Sequence, residues 1–112
     1  MSVHQMKLTQ EPYEKIVNGR KIIESRLFDE KRSIINIGDD VIFSQNENPD
    51  NMVKTKVTAL YRYPSFEKMF SDFPSDYFGG DSKEFLLDEI CKFYPKEEQD
   101  KYGVIGIKIE LE

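Results

Sequence analysis

The sequence predicts an α+β domain with a partly closed, largely antiparallel β-sheet and peripheral helices. Three observations predict this class. Strand-like alternation dominates the chain up to residue 63, helical patterns follow Pro64, and residues 103–111 form a last apolar strand. Because a lone strand cannot bury its apolar face, the last strand must return to the sheet that the earlier strands build.

The part of the chain before Pro64 contains most of the predicted strands and one helix. Pro12 suits the first turn of that helix, and Asn18-Gly19 supplies its C-terminal stop. A polar loop at 45–51 joins two strands into a long antiparallel hairpin. The predicted elements are a flexible N-terminal tail at 1–5, a short strand at 6–8, a helix at 13–17, and strands at 21–27, 40–44 and 53–63.

Helical signals follow Pro64. Ser65 is a candidate N-cap for a short helix at 65–70. The segment from Asp81 to Glu84 has a capping-box pattern, which opens a helix that runs to about residue 94. Residues 96–102 add one or two further turns. The apolar stripe predicted for the longer helix consists of Leu86, Ile90 and Phe93.

The length and charge of the chain bound its function. A chain of 112 residues is one domain, and its net charge of −5 argues against a protein that binds nucleic acid without regard to sequence. The charge is uneven, since residues 67–112 carry 6 basic and 12 acidic side chains whereas residues 15–32 carry six basic and three acidic ones. This basic segment is either a solvated surface or a local site for an anion.

Other classes of site and compartment are disfavoured by composition. One cysteine and one histidine offer almost no ligands for zinc or haem, so we expect no metal and no cofactor. No apolar run is long enough to span a membrane, and the N-terminus is polar. The sequence therefore predicts a small cytoplasmic protein. His4 is expected to be a disordered surface residue, and Cys91 a packing residue.

The segment from Gly19 to Arg26 is the best candidate for a site. Glu24 and Arg26 lie two residues apart on a predicted strand and so share a face, and Lys21 lies at the entrance of that strand. A guanidinium held in this way suits a carboxylate, a phosphate or a base edge. The alternative interpretation is an ordinary exposed ion pair that contributes little energy.

Several motifs together resemble the ASCH domain family, a PUA-like fold related to RNA-binding modules. The segment 19–26 is similar to its Gly-x-Lys-x-x-Glu-x-Arg signature, and the similarity extends over the chain from Met6 onward. The other segments that resemble the family are residues 38–43, 55–60, 63–66, 93–95 and 102–107.

The resemblance implies a single ASCH/PUA-like domain over residues 6–112, with a mixed or antiparallel β-barrel-like sheet. It also implies a cleft beside the signature strand that binds RNA or a modified nucleotide. Gly19, Lys21, Glu24 and Arg26 would line that cleft, with Gly19 making the turn that presents the others.

Two alternative functions remain at this stage. Some small members of the family are amidohydrolases that act on N4-acetylcytidine with a lysine, a threonine and a glutamate. Lys21 matches the lysine, but Glu24 stands at the threonine position and no glutamate lies near residues 78–80. If the protein is an enzyme of this kind, Lys21 and Glu24 are its catalytic candidates. The other alternative is a protein-interaction module, in which the acidic half at 67–112 meets a basic partner and charge reversal at Glu97 or Glu98 abolishes function.

Aromatic residues beside polar loops are candidates for stacking on a base, although each one taken singly is more typical of core packing. These candidates are Tyr61, Tyr63, Tyr77 and Phe78.

Overall fold

A computed structural model of the chain describes residues 2–112 as a curled, mixed five-stranded half-barrel sheet with helices around it. The order of strands in the sheet is β1-β3-β4-β5-β2. The five strands are β1 Val3–Leu8, β2 Ile23–Leu27, β3 Asp40–Gln45, β4 Met52–Tyr63 and β5 Val104–Leu111. The helices are α1 Gln10–Val17, α2 Glu30–Ser33, α3 Phe66–Asp72, a 3₁₀ turn Ser75–Phe78, α4 Lys83–Cys91 and α5 Lys96–Tyr102.

The strand pairing confirms the predicted α+β class. β3 and β4 form the predicted antiparallel hairpin, and β5 returns to the sheet between β4 and β2. β1 pairs in parallel with β3, which makes the sheet mixed. A register shift between Val57 and Ala59 interrupts β4, as a β-bulge does where a strand bends. This break lies in the longest strand of the curled sheet.

Two apolar clusters hold α1, α3 and α4 to the sheet. In one cluster, Tyr13 and Ile16 of α1 pack against β-strand residues that include Phe43. In the other, Phe66 of α3 and Leu86 of α4 pack around β2 and the start of β5. Segment 19–26 connects α1 to β2 and therefore runs from one cluster to the other. This position sets the site described below between α1 and α4.

Residues 3–5 lie in β1 and not in the predicted flexible tail. The Nε2 atom of His4 lies 2.8 Å from Oδ2 of Asp39, and the backbone amide of Ser2 donates to Oδ1 of Asp39 over 3.1 Å. His4 is therefore an anchor of β1 and not the disordered residue that was expected. Residues 2–5 are too polar to signal a strand in the sequence. Backbone pairing with β3 and the contacts of the Asp39 carboxylate hold this segment in the sheet. The rest of the predicted tail, Met1, lies outside the described residues.

Helix α4 is shorter than predicted and is displaced from the predicted cap. The Oγ of Ser82, and not Asp81, accepts a hydrogen bond from the backbone amide of Phe85. The helix ends at Cys91, so Phe93 leaves the predicted apolar stripe and is 65% exposed. No helix within residues 2–112 has the length and apolar character needed to cross a membrane.

Candidate functional site

Glu24 is the buried centre of a three-residue charge network. Its side chain on β2 is 4% exposed, and the Nζ of Lys21 lies 2.8 Å from its Oε1. The Nε of Arg26 donates to its Oε2 over 2.8 Å. The two cations thus hold one oxygen each. Alternation along β2 places Glu24 and Arg26 on one face, as the sequence predicted, and the turn before β2 brings Lys21 to the same carboxylate.

The network keeps Glu24 ionised despite its burial. Removal from water alone would raise the pKa of Glu24, because burial penalises the charged form. The charges and hydrogen bonds of Lys21 and Arg26 outweigh that effect and lower this pKa to about 2. The pKa of Arg26 is raised, since burial lowers it less than Glu24 and Tyr94 raise it. At neutral pH the site therefore contains a fixed carboxylate and a fixed guanidinium.

Arg26 is also held from outside β2. One of its terminal nitrogens, Nη2, donates to the carbonyl of Lys7 at the end of β1 over 3.0 Å. Tyr94, in the turn after α4, lies close enough to Arg26 to raise its pKa. An arginine has five N–H donors and a lysine ammonium has three, so contacts with Glu24, Lys7 and Tyr94 leave donors of Arg26 and Lys21 for a ligand.

A cavity of about 560 Å³, called the cleft below, lies over this network. One side of the cleft is formed by the start of α1 and the end of β1, and the opposite side by α4 and the turn after it. Five basic and three acidic side chains line the cleft, although the whole chain carries a net charge of −5. These charged residues are Lys7, Lys15, Lys21, Arg26 and Lys92, and Glu11, Glu24 and Glu89.

Gly79 forms part of the cleft wall and was not predicted as a site residue. Its carbonyl accepts a hydrogen bond of 2.6 Å from the Nζ of Lys15, which also pairs with Glu11 at 3.1 Å. The backbone of Gly79 has φ +84°, and a Cβ built on it would lie 3.1 Å from the Cβ of Lys21. Glycine at this position therefore allows the loop to approach the two lysines closely.

The structure brings three of the four predicted site residues together in the cleft. Lys21, Glu24 and Arg26 line it, whereas Gly19 is exposed and lies outside the lining. Gly19 has φ +79° in the turn that ends α1, and the amides of Arg20 and Lys21 both donate to the carbonyl of Lys15 within this turn. Its role in the fold is thus to reverse the chain before β2.

The structure also changes the set of aromatic candidates for stacking. Of the four predicted, only Phe78 lines the cleft. Phe85, Phe93 and Tyr94 line it as well. Sequence reasoning missed them because the helical pattern over residues 83–94 does not tell which of its residues face a cavity. His4, Cys91 and Asp81 lie outside the lining. Among residues 2–112, no group of three His, Cys, Asp or Glu side chains is arranged to hold a metal ion.

Comparisons with known proteins identify a family and its fold. The sequence profile of the ASCH domain matches residues 6–112. The crystal structure of the hypothetical protein PH0355 is 36% identical, with a TM-score of 0.86, and the match covers 100% of both chains. The solution NMR structure of protein PF0455 from Pyrococcus furiosus is 34% identical, with a TM-score of 0.75, over 97% of this chain and 96% of that one.

A more distant structure shares the fold. The crystal structure of ASCH from Zymomonas mobilis has a TM-score of 0.70 at 11% identity, over 96% of this chain and 66% of that one. Among curated proteins, none matches this chain.

Proposed function

Because the chain belongs to the ASCH domain family, we propose that its cleft binds a nucleotide or a short segment of RNA. The observation that carries this proposal is the buried network of Lys21, Glu24 and Arg26 at the base of the cleft. Glu24 fixes the two cations in place, so a ligand meets donors that need little reordering on binding. Lys21 and Arg26 would bind phosphate or base oxygens, and Glu24 would position Arg26.

The charge of the cleft supports an anionic ligand. The lining has an excess of two basic side chains, whereas the chain as a whole is acidic. Phosphate oxygens are bound preferentially by guanidinium and ammonium groups. The acidic remainder of the molecule does not provide the long basic track that a duplex needs, which favours one nucleotide or a few.

The size and apolar wall of the cleft support a ligand with a planar base. A volume of about 560 Å³ lies within the range of small-molecule sites, about 300–1,000 Å³. The rings of Phe78 and Phe85 stand in the lining, with Phe93 and Tyr94 at the end of the same wall. Every nucleobase has a face that stacks on such rings.

The state of Glu24 favours binding over amide hydrolysis. A general base works best when its pKa is near the operating pH, and the pKa of Glu24 is held near 2 by its two partners. Its oxygens are also engaged by Lys21 and Arg26. We therefore expect no release of acetate from N4-acetylcytidine, although Lys21 matches the lysine of the amidohydrolases in the family.

Titration calorimetry with cytidine 5′-monophosphate tests the proposed function. Lys21→Gln and Arg26→Gln each remove a charge-assisted hydrogen bond of about 1.5–3 kcal/mol, so each should weaken binding about 10- to 150-fold. Arg26→Lys retains the charge and loses the planar fork, and an intermediate loss is expected. Circular dichroism of every variant verifies that it is folded.

Two controls separate this proposal from its alternatives. Lys101→Gln removes an exposed lysine that does not line the cleft and should leave affinity unchanged. Glu97→Lys reverses a charge in the acidic half and should also leave nucleotide affinity unchanged. If the acidic half were instead the functional surface for a basic protein partner, this variant would lose function. Equal binding by the wild type, Lys21→Gln and Arg26→Gln would refute the assignment of the cleft.

A further inference from the structure

A second feature of the cleft is a pair of exposed aromatic rings on the side that α4 forms. Phe85 and Phe93 are 41% and 65% exposed, and neither belongs to an apolar core cluster. Both line the cleft, Phe85 from the first turn of α4 and Phe93 from two residues beyond its end. An isolated exposed aromatic ring is ordinary, but two on the wall of one charged cavity form an apolar surface that a ligand can cover.

The charges next to these rings are positioned for an anionic group joined to a flat apolar one. The Nζ of Lys15 lies 5.8 Å from the centre of the Phe85 ring, and Lys92 directly precedes Phe93. At the other end of the wall Phe93 adjoins Tyr94, which lies close to Arg26, with ring centres 6.5 Å apart. A ligand whose phosphate binds Lys21 and Arg26 would therefore place an attached planar group beside the side of the cleft that α4 forms.

We propose that Phe93, the ring next to Tyr94, stacks on one unpaired nucleobase and that Phe85 extends the apolar wall beside it, so that the cleft takes a base together with its phosphate. This inference rests on the proposed function, and it specifies which part of a nucleotide each wall holds. A base inside a duplex has both faces covered by its neighbours and cannot stack on a side chain. The ligand is accordingly a free nucleotide or an unpaired base of a single strand.

The test compares ligands with and without a base. Wild-type protein is titrated calorimetrically with cytidine 5′-monophosphate, adenosine 5′-monophosphate and ribose 5-phosphate. Stacking is tolerant of base identity, so both nucleotides should bind more tightly than the sugar phosphate. Phe93→Ala should weaken binding of the nucleotides about 5- to 150-fold and leave binding of ribose 5-phosphate unchanged. Phe85→Ala should act in the same direction.

A matched control is Tyr102→Ala, which removes another exposed ring (38%) that lies outside the cleft. It should change the affinity of none of the three ligands. Equal affinities for ribose 5-phosphate and the nucleotides, together with no effect of Phe93→Ala, would overturn the stacking surface.

The failure of stacking can be told apart from failure of the proposed function. If Arg26→Gln weakens binding of all three ligands while Phe93→Ala weakens none, the cation site stands and the stacking surface is wrong. If none of the three ligands binds to wild-type protein at millimolar concentration, both inferences are wrong.

Discussion

At the scale of single residues, Glu24 determines the geometry of the cleft. Its carboxylate is the contact that Lys21 and Arg26 have in common, and its side chain is 4% exposed. A carboxylate buried in this way is retained only when cations compensate for its lost hydration. The same contacts orient the cations, so the stability of the network and its proposed binding of an anion depend on the same three side chains.

Neutralising Glu24 should therefore destabilise the protein. Glu24→Gln leaves two buried cations without their counter-charge, and the free energy of unfolding should fall by about 3–5 kcal/mol. Urea denaturation at pH 7 measures this loss. Glu89→Gln, at the exposed rim of the same cleft, should change that free energy by less than about 0.5 kcal/mol. Equal stabilities of the two variants would show that the network is not buried as described.

The residues of this network were predictable, but not all their partners. The alternation of β2 predicts that Glu24 and Arg26 share a face, and the family motif adds Lys21. Lys15 and Gly79 are 64 positions apart in the chain, and Arg26 and Tyr94 are 68 apart. No local pattern signals such contacts, because they arise only when α1, the 3₁₀ turn and α4 pack around β2.

At the scale of elements, the loop that contains Gly79 shapes the wall of the cleft. The chain has two glycines with similar positive φ near the site, Gly79 at +84° and Gly19 at +79°. A Cβ at Gly79 would press on Lys15 and Lys21, whereas a Cβ at Gly19 would meet no atom within 4 Å. The two positions thus share the backbone strain of a substitution but differ in contact with the cleft.

Alanine at each glycine should separate these two effects. Both Gly79→Ala and Gly19→Ala place an L-residue in a left-handed conformation, which costs roughly 1–2 kcal/mol of stability. Only Gly79→Ala should also weaken the binding of cytidine 5′-monophosphate, because it displaces Lys21. Thermal unfolding and calorimetry on both variants measure the two quantities. Equal losses of affinity would mean that Gly79 has no specific part in the cleft.

Strand β1, which begins at Val3 and not at the predicted residue 6, depends on Asp39. Its carboxylate accepts hydrogen bonds from the backbone amides of Ser2 and Asn36 and lies 2.8 Å from the ring of His4. The hydrogen bond with His4, followed by those with Asn36 and Ser2, lowers the pKa of Asp39 to about 2. Since the pKa of the folded state is below that of the unfolded chain, the ionised form stabilises the fold.

This shift predicts a particular dependence of stability on pH. The contribution of Asp39 is complete above its ordinary pKa of 3.8 and is lost as the pH falls towards 2. Asp39→Asn should be less stable than wild type at pH 7, and the difference should shrink between pH 4 and pH 2. Urea denaturation across this range measures it, with Asp50→Asn in the exposed loop as the control. A difference that stays constant with pH would contradict the assignment.

The elements with strong local patterns were predicted well. The hairpin of β3 and β4, the Ser65 cap of α3 and the closing strand β5 all follow from alternation or a capping residue. The N-terminal half of β1 is an exception, because its pairing with β3 has no signal in the local sequence. α4 is another, since it ends at Cys91 and not near the predicted residue 94.

At the scale of the whole molecule, the fold separates charge between the cleft and the rest of the surface. The chain carries −5 overall, whereas the cleft has more basic than acidic side chains. Such a distribution attracts a small anion to one place and repels an extended polyanion elsewhere. The curled sheet makes this possible by placing β2 at one edge, where α1 and α4 can enclose the network.

The proposed function requires that this cleft binds a nucleotide through the network centred on Glu24. The most direct test is an NMR titration of isotopically labelled protein with cytidine 5′-monophosphate, and with N4-acetylcytidine in a parallel sample in which free acetate is also measured. We predict amide shifts confined to the residues that line the cleft and their neighbours in the chain, at 7–15, 21–26, 46, 70 and 78–94, with no acetate. Acetate that accumulates with wild type but not with Lys21→Gln would establish hydrolysis instead. Shifts elsewhere, or none, would contradict the proposed function.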